Sequence, residues 1–460
     1  MVTQQNLDLL FQVRILAGQF LKTFDCGEFL NLMTNFRAII LAAGRGTRMK
    51  SDLPKVLHKV AGKPLIEHVL QVVKSIGSLK TYVVVGYQSE LIQRTLTQDV
   101  TFVRQEKLLG TADAVLQVLP LLRGFKGNIL LLCGDTPLLQ KQVIQSLIRR
   151  HTQTKAAATV LTAAVDDPTG YGRIIRDNNN RISAIREHRD ASQEEQAISE
   201  INSGVYCFQA EVLLKTLGGI KVNRQKKEFY LTDIVSLLLQ SGRRVETFKT
   251  SDQGVALGIN TRQELVQAEC ILRQRILDHW MSQGVTITDP KTTYIEADVK
   301  IGNDTIIHPM TVIHSDVQIG RRCSIGPFAR IRPGSRIADG AEIGNFTEVS
   351  RTKIGKNSLM KHFSFLGDAV LGESVNIGAG TVTANFDGKN KNKTTIGRNA
   401  FVGSDSILIA PVQVGAQAVV GAGSVVTKGT NIPSKALAVG VPARIIHNRN
   451  LKTPTTLNKK

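Results

Sequence analysis

Cysteine is sparse and scattered, with five thiols at 26, 133, 207, 270 and 323 and no CxxC pair. That excludes a disulfide framework and a zinc site of familiar spacing, and it points to reduced thiols in a cytoplasmic protein. Long hydrophobic runs are also missing. Stretches such as Ile129 to Cys133 fall far short of the ~20 residues that cross a bilayer, so no membrane partner is expected. No GK[ST] occurs and the GxGxxG spacing fails, which removes the Walker loop and the dinucleotide fingerprint. Aromatics make up only 5% of the chain, and no Lys/Arg run or aromatic-rich basic stripe accompanies its net charge of +20. The basic excess is spread out, with 34 basic against 23 acidic residues in 37–283 and 22 against 12 in 284–460. Small polyanionic substrates therefore account for it better than nucleic acid does. Residues 1–35 carry an apolar patch around Leu9 to Phe20 without a basic start or cleavage site. They read as an extension of unknown role rather than a signal peptide, with Met33 a plausible start.

What the sequence has in abundance is a period of six. Isoleucine or valine recurs at Ile295, Ile301, Ile307, Ile313, Ile319, Ile325, Ile331, Ile337, Ile343 and Val349. A helix turning about 100° per residue would smear this set around its axis, and no single strand runs so long. A solenoid of short strands, three six-residue sides per coil, satisfies both limits. Two residues before each slot the side chain is small or β-branched, and glycine often follows it, as at Gly302, Gly320, Gly326, Gly344 and Gly355, where a bend is expected to need positive φ. The ladder slips to Ile354, Met360 and Leu366, and again to Leu371 and Ile377. It breaks at an insertion, Ala384 to Thr395, and resumes at Ile396, giving seven or eight coils.

Ahead of the ladder, strand and helix patterns alternate: Phe36 to Ala42 extended, Pro64 to Ile76 helical, Lys80 to Val85 and Ile129 to Cys133 extended, then a helix from Leu138. This predicts an α/β Rossmann-like domain over 36–260, with ligands at the carboxyl ends of its strands. A helix over Thr261 to Gln283, apolar at Leu265, Ala268, Leu272, Ile276 and Trp280, predicts a packed linker over 261–284. The solenoid then fills 285–446 and a flexible tail 447–460. At the first strand end lies Leu41-Ala42-Ala43-Gly44-Arg45-Gly46-Thr47-Arg48-Met49, followed by Ser51-Asp52-Leu53-Pro54-Lys55. Its glycines leave backbone N–H groups for phosphate oxygens, and Arg45, Arg48 and Lys55 can neutralise charge in phosphoryl transfer, although such a loop is equally a structural turn. Asp135, ahead of Thr136-Pro137, also reads as a helix cap, and Asn260 can serve the cap before Thr261-x-x-Glu264.

LAAGRGTRMKSDLPKVLH resembles the signature of sugar-nucleotide pyrophosphorylases. With the hexad ladder behind it, residues 36 to about 440 resemble the bifunctional N-acetylglucosamine-1-phosphate uridyltransferase / glucosamine-1-phosphate acetyltransferase family. The resemblance implies a left-handed parallel β-helix after the nucleotidyltransferase domain, and a UTP site of Leu41, Ala42, Ala43, Gly44, Arg48 and Lys55. It also implies that Gln105, Gly110 and Thr111 read the uracil, that Cys133 and Gly134 belong to the UTP and UDP-sugar site, and that Gly172, Glu187 and Asn202 line the sugar pocket. Asp135 and Asn260 would hold Mg²⁺. Family members usually carry glutamine where this chain has Leu108. The implied reaction is in-line attack of the sugar-1-phosphate on the α-phosphorus of UTP, with release of pyrophosphate.

On the solenoid the resemblance implies that His362 is the general base of acetyl transfer, with Glu348 to orient or charge-balance it and the Ala379 N–H as oxyanion donor. Arg332, Ser350, Phe365 and Asn376 would meet glucosamine phosphate, and acetyl-CoA would lie along Asn385, Phe386, Ser404 and Ala422 near Lys389, Lys391 and Lys393. Three of these depart from the family: Ser350 replaces a lysine, and Phe365 and Phe386 replace tyrosines. A homotrimer through the β-helix is also implied. Two rival readings are a single-activity nucleotidyltransferase whose solenoid only assembles or regulates, and a polyanion binder resting on charge alone.

Overall fold

The computed structural model describes residues 35–223 and 228–446 and divides the chain into two compact units, one ending at Glu269 and one beginning at Cys270. The expectations for the N-terminal extension and for the tail from 447 lie outside the described residues.

In the first unit the sheet runs in the order Val245–Thr250, Ala158–Ala164, Glu200–Gln209, Asn128–Cys133, Phe36–Ala42, Thr81–Val85, Thr101–Arg104. Neighbours are parallel except Glu200–Gln209, which is antiparallel to both strands beside it. Both faces are buried, which explains why these strands read as unbroken apolar runs. In Phe36–Ala42, Ile39 faces one core, while Phe36, Ala38, Ile40 and Ala42 face the other. The helices Leu65–Ser75 and Lys141–Thr154 cover the second face through Ile66, Val69, Val73, Ile144 and Leu147. The second of these starts later than expected, because Leu138 and Leu139 enter the core before the first helical residue, Lys141.

In the second unit, strands from Thr286–Ile287 to Leu437–Gly440 stack into three parallel sheets, a left-handed β-helix of eight coils and one further strand, in line with the seven or eight coils expected from the ladder. Ile307, Ile325 and Ile343 lie in register one above the other, as do Ile301, Ile319 and Ile337. All of them point inward, at 7% exposure or less. The small residues two positions ahead, Thr293, Thr305, Ser335 and Ala341 among them, are fully buried at the inner corners. Each slip in the ladder is a coil shortened by one residue, as where Ile337 pairs with Ile354. The insertion lengthens one coil, so that Val382 pairs with Ile407. A hairpin, Leu437–Gly440 with Ala443–Ile446, ends the column.

One expectation about the corners is corrected. Of the five glycines expected to need it, only Gly326 has positive φ (94°); elsewhere positive φ falls three residues after the slot, at Asp298, Asp304, Asp316, Arg322, Gly334 and Gly340, and not at Gly302, Gly320, Gly344 or Gly355. Those glycines serve close approach instead. A Cβ on Gly302 would sit 2.7 Å from Arg321 N, and one on Gly344 only 1.8 Å from the Lys361 carbonyl oxygen.

The linker helix spans Arg262–Ser282. Its stripe is packing, as expected, with Ala268 buried and Ile276 and Trp280 against the β-helix core, but Leu277 is the residue buried deepest there.

Candidate active sites

The glycine loop begins where Phe36–Ala42 ends. Gly46 is left-handed (φ 64°), and a Cβ there would stand 2.5 Å from Lys55 Cβ, so the loop closes over the lysine stem. Gly44 has no atom within 4 Å of its Cβ direction, leaving room for a ligand to approach the backbone. Arg262, at the start of the linker helix, ties this region down by donating to the Met49 carbonyl (3.3 Å) and approaching His58 Nδ1 (3.2 Å). Arg48 is exposed on the loop.

Lys55 Nζ donates to Asn260 Oδ1 at 2.9 Å and forms an ion pair with Asp135 Oδ2. The two expected metal ligands, 125 positions apart in sequence, thus meet around one cation, here the ammonium. Neither spends its side chain on a helix. The helix after Asp135 starts at Lys141 behind Gln140, and the Thr261/Glu264 box caps the linker, Glu264 Oε2 accepting from Asn260 N (2.5 Å) and Thr261 N (2.8 Å). Asn260 keeps its orientation by donating to Gly258 O at 3.0 Å. Among the described residues no group of three His, Cys, Asp or Glu side chains could hold a metal ion. A hard cation here would have one carboxylate and one amide oxygen, with its remaining positions filled by phosphate oxygens and water.

Gln105 is buried and donates to Asp113 Oδ2 (2.7 Å) and Gly110 O (3.1 Å), which fixes its amide orientation. Gly110 (φ 107°) could not carry a side chain, since its Cβ would lie 2.6 Å from Phe229 O. The Thr111 hydroxyl accepts from Leu231 N (3.1 Å). A cavity of about 500 Å³ opens beside them, lined by Arg45, Gly86, Tyr87, Arg104, Gln105 and Leu108. Cys133 is no nucleophile. Burial and the Asp135 carboxylate push its thiol up to about 12, and it sits against Gly204. Gly134 N donates to Leu41 O (2.9 Å), joining two strand ends.

The sugar-side residues also converge. Gly172 O accepts from Asn202 N (2.8 Å), and Asn202 Nδ2 donates to the buried Tyr206 hydroxyl (2.7 Å) at an irregularity in the Glu200–Gln209 strand. Glu187 accepts from Thr232 Oγ1 (2.9 Å). Burial raises its carboxyl above the ordinary range despite that bond, with Asp190 and Asp233 adding to the effect. Sequence reading missed Tyr206 and Thr232, since a lone hydroxyl in an apolar stretch carries no signal of what it supports.

On the β-helix, His362 is exposed near a corner, and Glu348 lies on a side strand paired with Ser364–Gly367. Among the described residues no hydrogen bond joins the two. Glu348 accepts from Arg332 Nη1 (2.9 Å), with Arg330 Nη1 at 3.7 Å. Arg351 forks onto Asp368 (2.7 and 2.8 Å) and donates to the Ser350 hydroxyl (2.9 Å), so its guanidinium is already engaged. Arg351 holds the Asp368 carboxyl below its usual range, and Asp368 in turn accepts from Asn385 Nδ2. Phe365 and Asn376 are half-buried on outward faces, Phe386 is exposed in the insertion, and Ser404 and Ala422 occupy the same corner of successive coils. The Ala379 carbonyl accepts from Asp405 N (2.6 Å).

A glycine loop at a strand end of an α/β sheet, followed by a hexapeptide column, is the architecture of a nucleotidyltransferase fused to a hexapeptide transferase. The nucleotidyl transferase family signature matches residues 37–283. The bacterial transferase hexapeptide signature matches 298–333 and 316–351, and the hexapeptide repeat of succinyl-transferase matches 393–428. The chain is 45% identical to the bifunctional protein GlmU of Shouchella clausii over 435 residues, 87% of this chain and 95% of that one. It is 42% identical to that of Brevibacillus brevis and 40% to that of Listeria monocytogenes, each over 88% of this chain and at least 95% of the relative. The chain belongs to the GlmU family of bifunctional enzymes, which join nucleotidyl and acetyl transfer in UDP-N-acetylglucosamine synthesis.

Proposed function

We propose that acetyl transfer from acetyl-CoA to glucosamine-1-phosphate at the β-helix precedes uridylyl transfer from UTP at the sheet. In the first unit Leu41 to Gly44 and Gly134 bind UTP, Gln105 and Gly110 read the uracil, and Gly172, Glu187 and Asn202 hold the sugar. Asp135 and Asn260 hold Mg²⁺, which when bound would polarise phosphate oxygens. Arg48 and Lys55 neutralise charge as the sugar phosphate attacks in line. The observation that carries this reading is the convergence of Asp135 and Asn260 on one cation beneath the glycine loop.

In the second unit His362 takes the proton from the attacking amine, and Arg332, charge-balanced by Glu348, binds the sugar phosphate. Asn385, held by Asp368, meets the coenzyme. Trimerisation through the β-helix is supported by apolar side chains left outside, such as Phe328 and Phe346, stacked at 4.8 Å while 47% and 62% exposed. A reducing, cytoplasmic setting is supported by the four described cysteines being free thiols. Among the described residues no helix is long and apolar enough to cross a membrane.

The test is a paired assay: pyrophosphate from UTP with N-acetylglucosamine-1-phosphate, and free thiol from acetyl-CoA with glucosamine-1-phosphate. Asp135→Ala should abolish the first and spare the second, and His362→Ala the reverse. Thiol release that survives His362→Ala removes the acetyl-site assignment.

A further inference from the structure

The cation between Asp135 and Asn260 belongs to the protein itself. Lys55 reaches both oxygens from a stem pinned beneath Gly46, and its side chain is 15% exposed. An ammonium and a divalent ion cannot occupy the same oxygens together. Resting on the metal-site reading above, we infer that Lys55 is an internal occupant of the metal site, which must leave before a divalent cation can enter. Once released, its ammonium is free to meet the triphosphate.

Three observations support this role beyond simple proximity. The stem is fixed at Cβ by the loop, so movement is confined to the outer dihedrals and the ammonium can swing without disturbing the fold. Asn260 is oriented by its own bond to Gly258 and by the capped helix start, so its oxygen stays in place when the lysine departs. Asp135 is a carboxylate only 16% exposed whose one ion pair among the described residues is with Lys55, and leaving it unpaired would cost stability, so the lysine removes that cost until a metal ion takes its place. The consequence is a coupling: metal and Lys55 compete for Asp135, and a nucleotide that attracts the ammonium relieves the competition. Metal and nucleotide should therefore bind with positive cooperativity that depends on this side chain.

The experiment measures Mn²⁺ binding to the full chain without nucleotide, by the electron paramagnetic resonance of free Mn²⁺. A hydrogen bond to a charged group is worth roughly tenfold in an equilibrium. Lys55→Met should therefore bind Mn²⁺ about tenfold tighter or more than wild type. Arg48→Met removes the same charge without those bonds and should change the affinity by about threefold at most. Equal tightening in both variants, or none in Lys55→Met, overturns the inference and leaves the metal site intact. Asp135→Asn tests the site itself: Mn²⁺ binding that survives this change refutes the metal-site reading and the inference with it. A second measurement needs no variant. Acetic anhydride labelling of wild type, read at Lys55 by mass spectrometry, should quicken several-fold on adding Mg²⁺, and an unchanged rate again overturns the displacement.

Discussion

Replacing Gly344 by alanine separates two accounts of the glycine that follows each ladder slot. If that glycine merely tolerates its place, alanine should stabilise by about 0.4–1 kcal/mol, because it lowers the entropy of the unfolded chain. The geometry requires the opposite sign. The new Cβ would lie 1.8 Å from Lys361 O and 2.4 Å from its carbonyl carbon, where real Cβ contacts begin near 3.0 Å, so the next coil must retreat by about 1.2 Å. That movement strains the rung bonds Gly344 N to Met360 O (2.8 Å) and Asn345 N to Lys361 O (3.3 Å). Losing both costs about 2–6 kcal/mol at ~1–3 kcal/mol each. The chain's single tryptophan, Trp280, packs against the β-helix core and reports this unit's unfolding by fluorescence. For a urea slope of about 3 kcal/mol/M, the midpoint should fall by about 0.7–2 M. Gly423 has positive φ (68°) but nothing within 4 Å, so Gly423→Ala should lose only about 1–2 kcal/mol. A Gly344→Ala protein as stable as wild type, or more so, refutes close approach as the glycine's purpose.

Three further outcomes follow from groups already placed. His151 is buried and neutral against Thr159 (2.9 Å), its pKa lowered by burial from 6.5 to about 4. Its contribution is therefore complete above pH 6.5 and is lost as pH falls toward 4, by about 3 kcal/mol. His151→Leu should flatten the pH dependence of urea unfolding in the first unit over that window. Glu187 has the opposite sign for a carboxyl. Its folded pKa is raised above the ordinary 4.5, so stability is highest below that value and declines as pH rises through the folded pKa. Glu187→Gln should raise the first unit's melting temperature at pH 7 while raising the KM for N-acetylglucosamine-1-phosphate about tenfold. Asp368→Asn should raise the KM for acetyl-CoA about tenfold by releasing Asn385, with little change in kcat and none in pyrophosphate release.

How much of this was legible in the sequence differs sharply between the two units, for a physical reason. Outside the insertion a coil of the β-helix is 17 or 18 residues, so spatial neighbours can be found by counting: Arg332 meets Glu348 after 16 positions, Arg351 meets Asp368 after 17, and Asp368 meets Asn385 after 17. The ladder, the inward slots and the insertion were all readable. The purpose of the glycines was not, because φ and close approach leave the same residue in the sequence. Nor was the partner of Glu348, since the outward faces of a column offer several opposite charges at nearly equal spacing, and side-chain length decides between them.

In the α/β unit no such arithmetic exists. Lys55 finds Asp135 across 80 positions and Asn260 across 205, and only the strand order brings them together. The resemblance to a family placed these residues in one site, yet it assigned the lysine to the triphosphate and the two oxygens to a metal, as separate duties. In the fold the lysine contacts both oxygens, and the displacement inferred above links those duties. A buried carboxylate is costly when unpaired, and here the cation that pairs with Asp135 is the Lys55 ammonium. In the β-helix the equivalent need, pairing Asp368 and Glu348, is met by arginines one coil away, which hold their partners without having to leave.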